Sequence, residues 1–316
     1  MRGRLSIISG SANPPLAQAI AKSVGVELTA CDMRRYSDGE IGVEIGENVR
    51  GHDVFVVQST STPGNDHLME LLITMDALRR ASAERITAVL PYFGYARQDR
   101  KTKPRVAITA KLVSDIIVCA GANRVLTMDL HAGQVMGFFN VPVDNLYAMP
   151  VLLNYVREHY FGKDICIVSP DAGGVARARA FAKRLDVGIA IIDKRRTAPN
   201  EVAEMNVIGD VAGKTAIIVD DMVDTGGTLV KAGDALLARG AKEVAACCSH
   251  AVLSGNAKNA IPGSSISQVV VSDSIYHNEG TADKDWLVRL TVAPLIGEAI
   301  KRIHYDESVS VLFEND

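Results

Sequence analysis

No charge of either sign dominates this chain of 316 residues: 34 Lys and Arg stand against 37 Asp and Glu, a formal net charge of −3. Such a balance gives no global attraction to nucleic acid or to an anionic membrane. Long apolar runs are also missing. None approaches the roughly 20 residues of a membrane-spanning helix, and the opening MRGRLSIISGSANPP has no long apolar core, which predicts no secretory signal. Cysteines are few and odd in number (Cys31, Cys119, Cys166, Cys247 and Cys248), with no CxxC pair. They read as small buried hydrophobes in a reducing compartment rather than as disulfides or zinc ligands, so a cytoplasmic protein is expected. Tandem repeats, low-complexity tracts and a Pro/Gly/Ser-rich linker are absent from the sequence.

What is present suits a pair of ordinary domains. The 47% hydrophobic content fills large cores. Short apolar runs alternate with amphipathic stretches. Strands are expected at Leu5–Ser9, Val54–Gln58, Ile86–Pro91 and Val125–Asp129, the last reaching towards His131. Helices are expected up to Val24 and over Asp66–Ala81, Thr109–Cys119 and Pro150–His159. The scheme repeats with strands at Ile165–Ser169, Gly188–Asp193, Thr215–Val219, Val244–Ser249 and Gln268–Val271. Helices follow at Gly174–Leu185, from Leu229 to Gly240 and at Ala293–Ile303. The alternation predicts an α/β protein of parallel sheets flanked by helices. Two similar domains are expected, 1–148 and 149–292, with the terminal helix, about 293–316, packing back on the first.

The chain is organised around TAIIVDDMVDTGGT, Thr215–Thr228. A β-branched run reads as a buried strand ended by Asp220 and Asp221. Asp224, Thr225, Gly226, Gly227 and Thr228 form a small-residue turn into a helix. Backbone N–H groups at a helix start attract phosphate, and glycines let the backbone approach it. Adjacent carboxylates accept hydrogen bonds from hydroxyls, so acids beside a phosphate cradle suit a phosphorylated ribose. The stretch resembles the phosphoribosyl-pyrophosphate (PRPP) loop of type I phosphoribosyltransferase-fold proteins.

Other segments carry chemistry at strand exits. RQDRKTKPR, Arg97–Arg105, has five cations in nine residues, suited to a polyphosphate or simply to solvent. His131 closes TMDLH and offers an imidazole to a metal. Asp171 in SPDAGG suits either a Mg²⁺ ligand or a helix cap. Asp193-Lys194-Arg195-Arg196 opens a polar stretch to about Gly213, which reads as a mobile lid over phosphates. Tyr36-Ser37-Asp38-Gly39-Glu40 is by itself a polar turn.

Together YSDGE, PYFGYARQDRK, MDLHA, VPVDNLYA, SPDAGG, DKRR, DDMVDTGGT and ESVSVLF resemble the ribose-phosphate pyrophosphokinases over nearly the whole chain. The resemblance implies two tandem phosphoribosyltransferase-like domains and transfer of a diphosphoryl group from Mg-ATP to ribose 5-phosphate, giving PRPP and AMP. It assigns Tyr36, Asp38, Gly39, Glu40, Arg97, Gln98 and His131 to ATP. Arg196, Asp220, Asp221 and Asp224–Thr228 (including Thr225, Gly226 and Gly227) go to the sugar phosphate. Lys194 and Arg196 are implied as catalytic, and His131 and Asp171 as metal ligands. It further implies a homohexamer with the Tyr36–Glu40 segment serving a neighbouring chain's site. Phosphate and ADP are implied as effectors, with Arg50, Ser82, Ser308, Ser310 and Phe313 in the allosteric site. A PRPP-consuming transferase and a non-catalytic regulator on the same fold are the alternatives; the nucleotide motifs of the first half argue against the former, the intact loop and Lys194 against the latter.

Overall fold

The computed structural model describes residues 3–195, 204–277 and 285–312, with the side chains of 194, 195 and 204 left aside. The chain divides into two compact units. One comprises Met1–Tyr147, Ser274–Tyr276 and Thr291–Asn315, the other Ala148–Asp273 and His277–Leu290. Among the described residues no helix is long and apolar enough to cross a membrane.

The first unit holds a five-stranded sheet built from β1 (Leu5–Ser9), β4 (Asp53–Val57), β5 (Arg85–Leu90), β6 (Arg124–Met128) and β7 (Val143–Leu146), parallel throughout and laid down in chain order. Its strands are nearly continuous hydrophobic runs, as a sheet covered on both faces requires. Helices α2 (Gly64–Arg80) and α3 (Thr109–Ala120) cover one face, burying Leu71, Met75, Leu78, Val113 and Ile117 against Ile8, Val54, Val56 and Ile86. Helix α8 (Ala293–His304) returns to this unit and packs on α1 (Pro14–Val24). Gly297 permits the close approach: a Cβ there would lie 2.7 Å from the Ser23 hydroxyl.

A two-stranded hairpin, β2 (Cys31–Arg35) with β3 (Ile41–Ile45), stands outside the sheet. Its short, half-exposed strands were not expected from the hydrophobic pattern. Two cysteines also depart from the buried expectation: Cys31 is half-buried on β2 and Cys119 is exposed on α3, while Cys166, Cys247 and Cys248 are buried and all five are free.

In the second unit the strands are β8 (Ile165–Ser169), β9 (Gly188–Arg195), β10 (Glu204–Ile208), β11 (Thr215–Val223), β12 (Glu243–Ala251), β13 (Gln268–Ser272) and β14 (Leu287–Leu290). Their order is β10-β9-β8-β11-β12-β13-β14, parallel except for the antiparallel β9–β10 pair. Helices α4 (Met149–His159), α5 (Val175–Leu185) and α6 (Gly227–Ala238) and the short α7 (Ala257–Ala260) complete it. Part of the segment expected as a polar loop is therefore strand. Within this strand Val207 is buried in the core with Met205 packed beside it while Ile208 is exposed, and the polar surroundings hid the strand. The direction in which strands are added to the sheet reverses between β8 and β11, since β9 lies on one side of β8 and β12 on the far side of β11. Such a switch point opens a crevice at the carboxyl ends of its two strands.

Candidate functional site

Strand β11 does not end at the acids as the sequence suggested. It continues to Val223, because β12 pairs with it as far as Val223↔Ala251, whereas β8 pairs only up to Ile218↔Val168. Asp220 and Asp221 thus sit on a strand end whose β8 side is unpaired, at the switch point. The Asp221 N–H donates to Oδ1 of Asp220 at 2.8 Å. Arg177, from the first turn of α5, reaches both acids: its Nη1 lies 3.3 Å from Oδ1 of Asp220 and 3.8 Å from Oδ1 of Asp221. Burial, reinforced by the neighbouring Asp221, raises the Asp220 carboxyl to about 7, and Arg177 opposes that rise.

The phosphate-type turn follows. Gly226 has φ +77° and is buried; a Cβ there would meet Ile261 at 2.9 Å, so the position excludes other residues. Thr225, Gly227 and Thr228 are exposed at the start of α6, whose first turn carries no acid. Its N–H groups and positive dipole end suit an anion. The loop is braced from behind: Ser254 donates a short hydrogen bond to Oδ1 of Asp224, and the Leu253 N–H donates to the Val223 carbonyl at 3.0 Å. Asp171 follows β8. Its Oδ1 accepts from the Gly174 N–H at 3.0 Å, which ties the loop just ahead of α5.

In the first unit, Arg97 and Gln98 lie exposed beyond β5. Gln98 is fixed by the Thr109 hydroxyl donating to its Oε1 at 2.5 Å and by the Ala110 N–H on its carbonyl. Strand β6 ends at Met128, short of His131, because Asp129 turns the chain with φ +40°; His131 is exposed just past that turn. Residues Tyr36–Glu40 form the tip of the β2–β3 hairpin. The tip closes through Tyr36 N–H to the Glu40 carbonyl and Glu40 N–H to Oδ1 of Asp38, with Gly39 at φ +93°. Tyr36 is 52% exposed, and its ring lies across Gly42, where a Cβ would be 2.8 Å from the Tyr36 hydroxyl.

At the opposite, amino-terminal edge of this sheet, Arg50 is exposed, and the Gly51 N–H donates to the carbonyl of Ser82, itself at φ +62°. The last turn of α8 reaches the same edge: Arg85 donates to the Ile303 carbonyl at 3.0 Å and His304 meets Asp53 at 2.8 Å. A cleft of about 320 Å³ lies there, lined by Gly3, Asp53, Glu84, Arg85 and Asn123. Ser308 and Ser310 follow α8 and bond each other, Ser310 N–H to Ser308 Oγ at 3.2 Å. Arg196 and Phe313 lie outside the described residues, and only the backbone of Lys194 is described, on β9 opposite Met205.

Comparison with known proteins agrees with this geometry. Residues 5–121 match the family described as the N-terminal domain of ribose phosphate pyrophosphokinase, and residues 194–314 match the phosphoribosyl synthetase-associated domain. A ribose-phosphate pyrophosphokinase of Bradyrhizobium diazoefficiens is 54% identical over 99% of this chain and 98% of its own length. The chain belongs to the ribose-phosphate pyrophosphokinase family. Another such pyrophosphokinase, from Maricaulis maris, is 56% identical over 98% of this chain and all of its own. The crystal structure of phosphoribosylpyrophosphate synthetase from Mycobacterium smegmatis superposes with a TM-score of 0.91 at 42% identity, covering 96% of this chain and 99% of that one. Two residues beside the paired acids and the turn escaped the sequence: Arg177 and Ser254. Arg177 sits two places from another arginine on an amphipathic helix, and nothing local marks which one faces the acids.

Proposed function

We propose that the chain is a ribose-phosphate diphosphokinase that transfers the diphosphoryl group of ATP to the 1-hydroxyl of ribose 5-phosphate, giving PRPP and AMP. The observation that carries this reading is the paired acids and anion-suited turn at the β8–β11 switch point, in a chain 54–56% identical to named pyrophosphokinases. The N–H groups of Asp224–Thr228 hold the 5-phosphate, and Asp220 and Asp221 accept from the ribose hydroxyls. Arg97, Gln98 and His131 take the ATP phosphates, and the Tyr36–Glu40 tip takes the adenine, by stacking and by hydrogen bonds to Asp38 and Glu40. Lys194 and Arg196 stabilise charge on the group in flight, which is where most of the rate in a phosphoryl-type transfer originates.

The donor set of Asp171 fits Mg²⁺, a hard ion held by one or two carboxylates plus substrate phosphates. An imidazole is a softer donor, so His131 rests on its DLHA motif alone. Magnesium, when bound, offsets phosphate charge. We assign the enzyme to the cytoplasm, as a homo-oligomer of hexameric size, with phosphate and ADP acting through Arg50, Ser82, Ser308, Ser310 and Phe313. Incubation with ATP and ribose 5-phosphate tests the reading: equal amounts of AMP and PRPP are expected. A PRPP-consuming transferase or a non-catalytic regulator makes neither.

A further inference from the structure

We propose that Arg177 is a positioning residue for the sugar, holding the Asp220 and Asp221 carboxylates together as a two-acceptor seat for the ribose diol. The inference rests on the functional reading above. Its geometric basis is that one guanidinium nitrogen faces one oxygen of each acid, at 3.3 and 3.8 Å. All three side chains are withdrawn from solvent to different degrees, Asp221 most, with 6% of its side chain exposed.

Helix energetics do not account for an arginine here. Arg177 stands in the first turn of α5, where the helix dipole disfavours a cation and no acid of that turn offsets it. The offset comes from β11, 43 residues further along the chain. Chemistry supplies the reason. A diol brings two O–H donors and needs two acceptors, and a carboxyl that takes up a proton loses acceptor capacity. Two adjacent, partly buried acids resist double ionisation. The groups facing Asp220 are Asp221 on its own strand, Arg177 from α5, and Cys248 opposite it on β12. Burial pushes the Cys248 thiol far up, leaving it neutral. Arg177 is therefore the group that opposes the rise of the Asp220 carboxyl and holds the two acids side by side.

The test compares Arg177→Gln and Arg177→Lys in the full chain by steady-state kinetics from pH 6 to 9, with thermal melting alongside. An opposite charge at this range lowers a carboxylate by about 1–3 pH units. In Arg177→Gln, KM for ribose 5-phosphate should rise roughly tenfold at pH 7, and the acid limb of kcat/KM for the sugar should move up by about one pH unit. KM for ATP should hold, and Arg177→Lys should restore most of the sugar affinity. An active wild type whose sugar KM and acid limb are unmoved in Arg177→Gln overturns this assignment alone. So does a joint loss of melting temperature and of both substrates that lysine does not rescue. A wild type that forms no AMP from the two substrates overturns the functional reading and this assignment with it.

Discussion

Replacing Asp220 by asparagine should make the substrate-free protein more stable at alkaline pH while impairing its use of ribose 5-phosphate. Asp220 has a folded pKa of about 7 against an ordinary carboxylate value of 3.8. The folded state therefore binds more protons than the unfolded state between these values, and stability falls as pH rises through that window. The cost is absent below about pH 4 and complete above about pH 7. Without screening, that rise corresponds to about 4 kcal/mol. Asp220 keeps 32% of its side chain exposed and has Arg177 beside it, so solvent screening and the ion pair reduce this. We expect Asp220→Asn to gain roughly 1–2 kcal/mol at pH 8. The asparagine oxygen still accepts the Asp221 N–H, so that contact is kept. Thermal melting of both proteins from pH 4.5 to 8 reads the effect, as a positive difference in melting temperature at pH 8 that shrinks steadily towards pH 4.5. A difference that is independent of pH, or a variant less stable at pH 8, would refute the electrostatic argument.

Four further outcomes follow from the same site. Ser254→Ala removes the hydroxyl that braces Asp224, and KM for ribose 5-phosphate should rise roughly tenfold, the scale of one hydrogen bond to a charged group, with the ATP KM unchanged; equal kinetics would show the brace to be idle. Lys194→Ala should cut turnover by roughly 10²–10³, as loss of one preorganised electrostatic contact does, with little change in ATP binding by calorimetry. Wild-type activity should depend on inorganic phosphate, and Arg50→Ala or Ser308→Ala should alter that dependence; full activity without phosphate would remove the allosteric assignment. Finally, Asp38→Ala/Glu40→Ala mixed with Lys194→Ala should regain about a quarter of wild-type activity if two-fold pairing lets the hairpin tip serve a neighbour. Activity at the mutants' floor, with mixed oligomers confirmed by mass, would show that each chain completes its own site.

Much of the fold was legible because its signals are local. A β-branched run followed by DTGGT and an amphipathic helix states a strand, an anion turn and a helix within 25 residues or so, and β11 and α6 are found there. Fully buried strands such as β4 and β8 announce themselves by continuous hydrophobicity. The hairpin β2–β3 does not, since CDMRR is mostly polar and its partner lies across a five-residue tip. Strand β10 is short and polar enough to pass for loop.

Residue identity alone therefore determined which chemistry the chain carries: acids, glycines and hydroxyls in the order a phosphorylated sugar needs. Tertiary structure decided how that chemistry is tuned. Where β11 ends depends on which neighbour keeps pairing with it, and strand order is a property of the whole sheet. The protonation of Asp220 depends on burial and on an arginine 43 positions away, and the stance of Asp224 on a serine 30 positions away. Electrostatic and hydrogen-bond energies fall off with distance in space, and only the folded chain sets those distances.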